Sequence, residues 1–385
     1  MNRDRILKDV LALENSNICL ELATGTGKTK LAIERLKQRK CKKVLIVIPR
    51  LVLIDNWKRE LGKWGYIYSP IFTTYVSLHK HIGEYDAVIY DEAHHITDRC
   101  YEAIEHIYSR NNIFLSATLK KDMKFKMRDA FGDITYYRVN IQQAIDGEIL
   151  PEPKILLLPL YLDTKNADYE LVIHPSGKIT KEVLYRDRWK YMRDKNIKLV
   201  CKCTQWQYMD YLNKNIDFYK KRYMISRNEV IKNKWLHLAG ERLKFLAECK
   251  NKYVLRILES LKDERTVTFC SSIKQTEELG KYCINSQNKQ STEYLDAFNE
   301  GKINHITSVN ILNEGVNLIN CKYGIFAVLN SSEIMQIQKI GRILRHKEPV
   351  LIFPYYKDTR EAVILHKMLE NYDESFVSTI IINKI

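Results

Sequence analysis

Short apolar runs alternate with amphipathic stretches twice along the chain, and this rhythm restricts the possible folds more than any other feature. In the first 150 residues the runs are Ile18–Leu22, Val44–Ile48, Ile71–Tyr75, Ala87–Tyr90 and Ile113–Leu115. Helical patterns such as Lys28–Arg39 and Leu51–Leu61 lie between them. Strands separated by helices predict a parallel sheet covered on both faces, with ligands at the carboxyl ends of its strands. The rhythm stops at Pro151 and Pro153, and a strand-like run over Ile155–Leu162 follows. It returns at Gly240, with a helix expected over Glu241–Leu261 and strands at Val267–Cys270, Ile303–Val309, Tyr323–Leu329 and Val350–Phe353. The reading is therefore α/β, with two sheet domains at 1–150 and 240–385. Residues 151–239 form a linker strand and an insertion, and a length of 385 residues suits such a division.

Directly after the first apolar run stands LATGTGKT, residues 22–29. A strand, a glycine-rich turn and a helix opening at Lys28 make a phosphate loop. Its backbone N–H groups and helix N-terminus face an anion. Gly25 and Gly27 let the backbone approach phosphate, Thr24 and Thr26 complete the loop, Lys28 reaches the β/γ-phosphates, and Thr29 ligates Mg²⁺. Leu22 stands where the general pattern has glycine. A second apolar strand ends in the acidic pair of DAVIYDEAHH, Asp86–His95. Asp91 is placed to coordinate Mg²⁺ and nucleotide, and Glu92 to polarise an attacking water.

With these motifs in order, the chain resembles the superfamily 2 nucleic-acid helicases and translocases with a D-E-A-H motif, matched here by Asp91, Glu92, Ala93 and His94. The resemblance implies two RecA-like domains in tandem that close on ATP and Mg²⁺. FLSATLK (Phe114–Lys120) is similar to the family's S-A-T motif, so Ser116 and Thr118, with His94, are expected to link nucleotide state to grip on nucleic acid. VLIVIPRLVLIDNW and TTYVSL resemble the motifs that contact the phosphate backbone, which points to Arg50 and Thr74. QIQKIGRILRH (Gln336–His346) fits Q-x-x-G-R-x-x-R through Gln338, Gly341, Arg342 and Arg345. Three-residue spacing puts the two arginines on one helix face, and the resemblance makes them arginine fingers. SVNILNEGVNL (Ser308–Leu318) resembles the preceding motif, with Glu314 and nucleotide-contacting Gly315; Asn317 replaces an aspartate common in relatives. The adenine-reading element many relatives carry upstream of the phosphate loop has no counterpart, since residues 1–16 contain no glutamine.

The net charge of +15 suggests a polyanionic partner. Residues 178–234 hold sixteen basic and six acidic residues, interleaved with Tyr185, Trp189, Tyr191, Trp206, Tyr208, Tyr211, Tyr219 and Tyr223. The basic groups suit phosphates and the rings suit bases, with Arg188, Trp189 and Lys190 the chosen contacts. The other reading gives the insertion a core of its own built from these rings. Cys201 and Cys203 form a C-x-C pair without a second pair to complete a zinc site; the nine scattered cysteines read as reduced core residues of a cytoplasmic protein. No run is apolar and long enough to span a membrane, and the first fifteen residues read as an amphipathic helix.

The resulting expectation is an ATP-dependent DNA helicase or translocase, DNA being favoured over RNA by likeness to repair and restriction motors. The alternatives are an RNA helicase and the motor of a restriction or defence assembly. A non-hydrolysing ATP-gated clamp is disfavoured by Glu92 and both arginines.

Overall fold

The structure, a computed structural model, describes residues 2–173, 190–192, 198–309, 318–330 and 332–380. Its first part runs α1 (Arg3–Leu11), β1 (Asn17–Leu22), α2 (Lys28–Gln38), β2 (Val44–Ile48), α3 (Ile54–Lys63), β3 (Ile71–Thr74), β4 (Gly83–Tyr85), β5 (Ala87–Asp91), α4 (Asp98–Ile104), β6 (Ile107–Ser109), β7 (Asn112–Ser116), α5 (Lys121–Phe131), β8 (Thr135–Val139) and α6 (Ile141–Asp146). Six strands make a parallel sheet in the order β3-β2-β5-β7-β1-β8, while β4 and β6 pair separately. All five residues of β2 are buried, as an unbroken apolar run in a two-sided sheet should be. The N-terminal segment is a helix, as its apolar spacing implied. Ile6 and Val10 enter the core, and Arg35 of α2 donates to the carbonyls of Leu11 and Asn15 at its end. Strand β8 escapes the sequence reading because Thr135–Tyr137 are only half-buried at the sheet edge.

The second part contains β9 (Lys154–Leu160), β10 (Tyr169–Ile173), β11 (Lys190–Met192), β12 (Lys198–Cys203), α7 (Gln205–Ser226), α8 (Glu229–Cys249), α9 (Asn251–Ser260), β13 (Thr266–Phe269), α10 (Ile273–Leu279), β14 (Cys283–Ile284), α11 (Ser291–Asn299), β15 (His305–Ser308), β16 (Tyr323–Phe326), α12 (Glu333–Ile343), β17 (Val350–Tyr356), α13 (Arg360–Leu369) and β18 (Val377–Thr379). Its parallel sheet has the order β14-β15-β13-β16-β17-β9-β18. Strand β9 follows the prolines and pairs with β17 over Lys154–Leu160, so the chain enters the second sheet before it leaves for the insertion. Within the insertion β10, β12 and β11 form a small antiparallel sheet, and α7 and α8 form an antiparallel hairpin.

The helix expected over 241–261 is instead two helices broken at Lys250. That side chain is wholly buried, and its ammonium donates to Glu361 at 2.6 Å and to the Pro354 carbonyl at 3.2 Å. Apolar spacing continues through the break, so periodicity alone does not reveal that a lysine turns inward there.

Candidate nucleotide-binding site

The chosen residues of the first sheet gather at one edge. The loop Leu22–Thr29 follows β1, Arg50 follows β2, Thr74 ends β3, Asp91 ends β5 and Ser116 ends β7. Gly25 and Gly27 have φ of +91° and +95°, a backbone that side-chain-bearing residues rarely adopt. Gly27 caps α2 without a side-chain hydrogen bond, and no acidic residue lies in the first turn. The positive end of the helix is therefore left for an anion. The Thr26 hydroxyl donates to the Ala23 carbonyl at 2.7 Å and fixes the turn. Lys28 folds over the loop and donates to the Leu22 carbonyl at 3.0 Å. Burial lowers its pKa, opposed by the charges of Glu92 and Asp91, while Arg342 lowers it further. Thr29, the next helical residue, is half-buried beside it.

Asp91 accepts from the Trp57 indole at 2.8 Å, and the Tyr75 hydroxyl donates to its backbone carbonyl at 2.7 Å. Burial, reinforced by Glu92, pushes the Asp91 carboxyl up to about 7. Glu92 has φ +50°, a left-handed conformation that costs ~1–3 kcal/mol in a residue of this kind and is concentrated at functional sites. Its Oε2 stands 3.4 Å from His94 Nδ1, which is 3.5 Å from the Ser116 hydroxyl. Ser116 in turn donates to the Thr118 carbonyl at 2.8 Å. The expected coupling residues thus form a chain running away from the acidic pair.

The sequence reading missed Glu21. Its buried carboxylate accepts from the Leu119 N–H at 2.9 Å, from Lys124 at 2.6 Å and from Arg138 at 2.7 Å. One residue before the phosphate-loop segment, it ties β1 to the loop carrying Ser116 and Thr118. A charged residue inside an otherwise apolar strand was the available signal.

The second sheet contributes α12. A Cβ on Gly341 would stand 2.4 Å from Thr24 Cβ, so the helix backbone lies directly against the phosphate loop. Arg342 is buried and Gln338 is 2% exposed. Arg345 differs from expectation. The helix ends at Ile343 and Arg345 is exposed beyond it, so the structure does not place the two arginines on one helix face. Gly315, with Glu314 and Asn317, lies outside the described residues.

Among the described residues, Thr24 Oγ1 and Gln338 Nε2 are two of the buried polar atoms that make no hydrogen bond. Buried polar atoms are rarely left so. These two lie on the loop and on the helix that meet at one cleft. The free helix terminus, an ammonium, a hydroxyl, two carboxylates and a guanidinium fit a nucleoside triphosphate with a divalent cation.

Arg50 is exposed. Thr74 is half-buried, and its hydroxyl accepts from the Ser77 N–H at 3.3 Å to cap the following turn. The register Ile48↔Thr74 keeps both positions on neighbouring strand ends. Arg188 and Trp189 lie outside the described residues, as does the side chain of Lys190. Several rings expected to face bases pack internally instead. Tyr208 lies 4.7 Å from Phe245, Tyr223 lies 5.9 Å from Trp235, and Tyr211 and Tyr219 rest on the core beneath the second sheet. Burying a ring removes more apolar surface from water than leaving it for an absent base. The eight described cysteines are free and buried, no group of three metal-ligating side chains occurs among the described residues, and no described helix is long and apolar enough to cross a membrane.

Comparison with known proteins adds two family matches. Residues 249–347 match the helicase conserved C-terminal domain, and residues 4–70 match the type III restriction enzyme res subunit. The DNA 3'-5' translocase XPB2 of Sulfurisphaera tokodaii is 20% identical over 353 residues, covering 85% of this chain and 74% of that protein. Among solved structures, Saccharomyces cerevisiae Dbp5 bound to RNA and ADP BeF3 is 11% identical, with 99% of this chain and 90% of that one covered, TM-score 0.60. The type ISP restriction-modification enzyme LlaBIII bound to DNA is 14% identical, TM-score 0.59; the match covers 99% of this chain, which spans 31% of that one. An HsdR subunit fragment from Vibrio vulnificus is 15% identical, TM-score 0.55, with 98% and 67% covered. These structures share the tandem arrangement of parallel-sheet domains.

Proposed function

We propose that this chain, which belongs to superfamily 2 of the nucleic-acid helicases and translocases, hydrolyses ATP with Mg²⁺ between its two sheets and couples the cycle to movement along or unwinding of DNA. The observation that carries the reading is the seating of Gly341 on Thr24, with the charge of Arg342 felt at Lys28. Two halves of the chain more than 300 residues apart thereby face one phosphate site.

The helix terminus at Gly27 and the Lys28 ammonium bind the phosphates, while Thr29 and Asp91 hold the cation. Bound Mg²⁺–ATP supplies a polarised terminal phosphoryl group for transfer to water. Glu92, held by its strained backbone, orients that water and takes its proton. Arg342 would meet the charge that develops as the bond to the departing ADP breaks, and Gln338 completes the cleft. A bound triphosphate would hold α12 seated on the loop, and hydrolysis would release it. The chain Glu92–His94–Ser116–Thr118 carries that difference toward the strand ends where Arg50 and Thr74 would meet the nucleic-acid backbone. DNA is preferred to RNA because the XPB2 relative is a DNA translocase. A cytoplasmic location accords with the free, buried cysteines.

The test is ATP hydrolysis measured side by side with single-stranded, double-stranded and forked DNA and with RNA, using Lys28→Ala as the control. Stimulation by DNA and loss of turnover in the control are expected. Unchanged turnover in Lys28→Ala would rule out this site, and selective stimulation by RNA would select an RNA helicase. The res-subunit match over 4–70 favours a second reading, the motor of a restriction or defence assembly.

A further inference from the structure

The acidic end of β5 is held from both faces of the first sheet. Alternate residues of β2 enter two cores, Ile46 and Ile48 one and Leu45 and Val47 the other. Leu53, Trp57 and Leu61 recur every fourth residue, so α3 and the turn before it bury one stripe in the first core. Tyr75 lies in the second. Both aromatic residues reach Asp91, but at different atoms. The Tyr75 hydroxyl donates to its backbone carbonyl at 2.7 Å, while the Trp57 indole donates to its side-chain Oδ2 at 2.8 Å.

These two bonds constrain different things. A carbonyl in a strand is already fixed by its backbone. A carboxylate turns about its terminal torsion, which has a broad, two-fold profile, so an unrestrained aspartate offers either oxygen or both to a cation. Trp57 is 1% exposed, and its indole has a single N–H that needs an acceptor when buried. The wedged ring therefore aims one charge-assisted bond at Oδ2 and leaves Oδ1 as the oxygen for a cation. How many oxygens are offered bears on which ion fits. Mg²⁺ demands octahedral geometry at about 2.0–2.1 Å, keeps several waters and needs few protein oxygens, whereas Ca²⁺ takes about 6–8 oxygens at about 2.3–2.6 Å and accepts both from one carboxylate. A carboxylate held to one free oxygen suits the smaller ion.

We propose that Trp57 is a positioning residue that selects Mg²⁺ over Ca²⁺ at the nucleotide site, by holding Asp91 Oδ2 so that Asp91 presents one oxygen to the ion. The proposal deepens the nucleotide reading and rests on Asp91 as a cation ligand. Tyr75, bonded to the backbone of the same residue, has no part in the selection.

The experiment measures binding of a fluorescent nucleotide, N-methylanthraniloyl-ADP, to the protein at increasing free Mg²⁺ or Ca²⁺, with no nucleic acid present and no turnover. The readout is the ratio of the two half-saturating cation concentrations. Trp57→Phe frees Oδ2 and should lower the preference for Mg²⁺ by about fivefold or more, mainly by improving the response to Ca²⁺. A benzothienylalanine placed at 57 puts sulfur where the N–H stands, keeps the core filled and should lower the preference equally. Tyr75→Phe removes a hydrogen bond from the same strand end and should leave the ratio within about twofold of the parent, whereas a general loosening of the site would move both. An unchanged ratio in the two Trp57 proteins, or an equal shift in Tyr75→Phe, would overturn the proposal and leave the nucleotide reading standing. A parent whose affinity for the nucleotide ignores both cations would overturn that reading and this proposal together.

Discussion

Replacing Gly341 with alanine should slow the catalytic cycle severely without unfolding the protein. The new Cβ would stand 2.4 Å from Thr24 Cβ, with Thr24 Cγ2 at 2.9 Å and Oγ1 at 3.3 Å. Carbon atoms in contact sit about 3.5–4.0 Å apart, so the shortfall is ~1.1–1.6 Å. Rotating the Thr24 side chain moves Cγ2 and Oγ1 but not Cβ, which is fixed to the backbone of the phosphate loop. Helix α12 must therefore withdraw by more than ~1 Å, taking Arg342 with it. Misplacing a catalytic group by that distance costs about 10²-fold in rate, or ~2.7 kcal/mol of transition-state stabilisation. Steady-state hydrolysis of ATP should show this loss in kcat with a smaller change in KM, since the phosphate loop itself is intact. Alanine is the better helix former by roughly 0.5–1 kcal/mol, so the melting temperature should not fall. Thr24→Gly removes the obstacle. The double variant should recover to within about tenfold of Thr24→Gly alone, a coupling of the size neighbouring residues show. A Gly341→Ala enzyme within threefold of the parent kcat, or a double variant whose losses simply add, would refute the packing argument.

Other outcomes are equally specific. Lys250→Met leaves the buried Glu361 side chain without its ammonium partner at 2.6 Å and should cost ~3–5 kcal/mol in urea unfolding of the second domain; adding Glu361→Leu should recover most of it. Glu21→Gln keeps an acceptor for the Leu119 N–H but removes the charge facing Lys124 and the solvent-screened Arg138. It should cost about 1–2 kcal/mol and lower nucleic-acid-stimulated hydrolysis more than the basal rate, read as the stimulation ratio. His305, hydrogen-bonded to Thr268 at 3.1 Å, is held by burial near a pKa of about 4 against an ordinary 6.5. The unfolded chain takes up a proton that the folded one refuses. Stability should therefore be complete above about pH 6.5 and fall as pH drops toward 4, by up to ~3 kcal/mol, and His305→Gln should flatten that slope in urea melts at pH 7.5 and 5.

The sequence by itself determined whatever depends on local order. Strands at 44–48 and 87–91, the phosphate loop and the acidic pair were legible because each is a contiguous run whose period or residue set has one economical conformation. It also determined that two such units occur in tandem. It did not determine which sheet the strand after Pro153 would join, since pairing with β17 bridges nearly 200 residues and leaves no local trace. Nor did it reveal the inward turn of Lys250, the carboxylate of Glu21 reaching Leu119 and Arg138, or the release of Arg345 from its helix. The aromatic rings of the insertion looked available because composition records how many there are, whereas burial depends on which surfaces the hairpin presents to the sheet. Gly341 shows the difference most sharply. As a letter it belongs to a motif, but its need to be glycine comes from Thr24, a residue more than 300 positions away. Propensity and periodicity act over a few residues, while steric exclusion and charge pairing act between whatever surfaces the finished fold brings together.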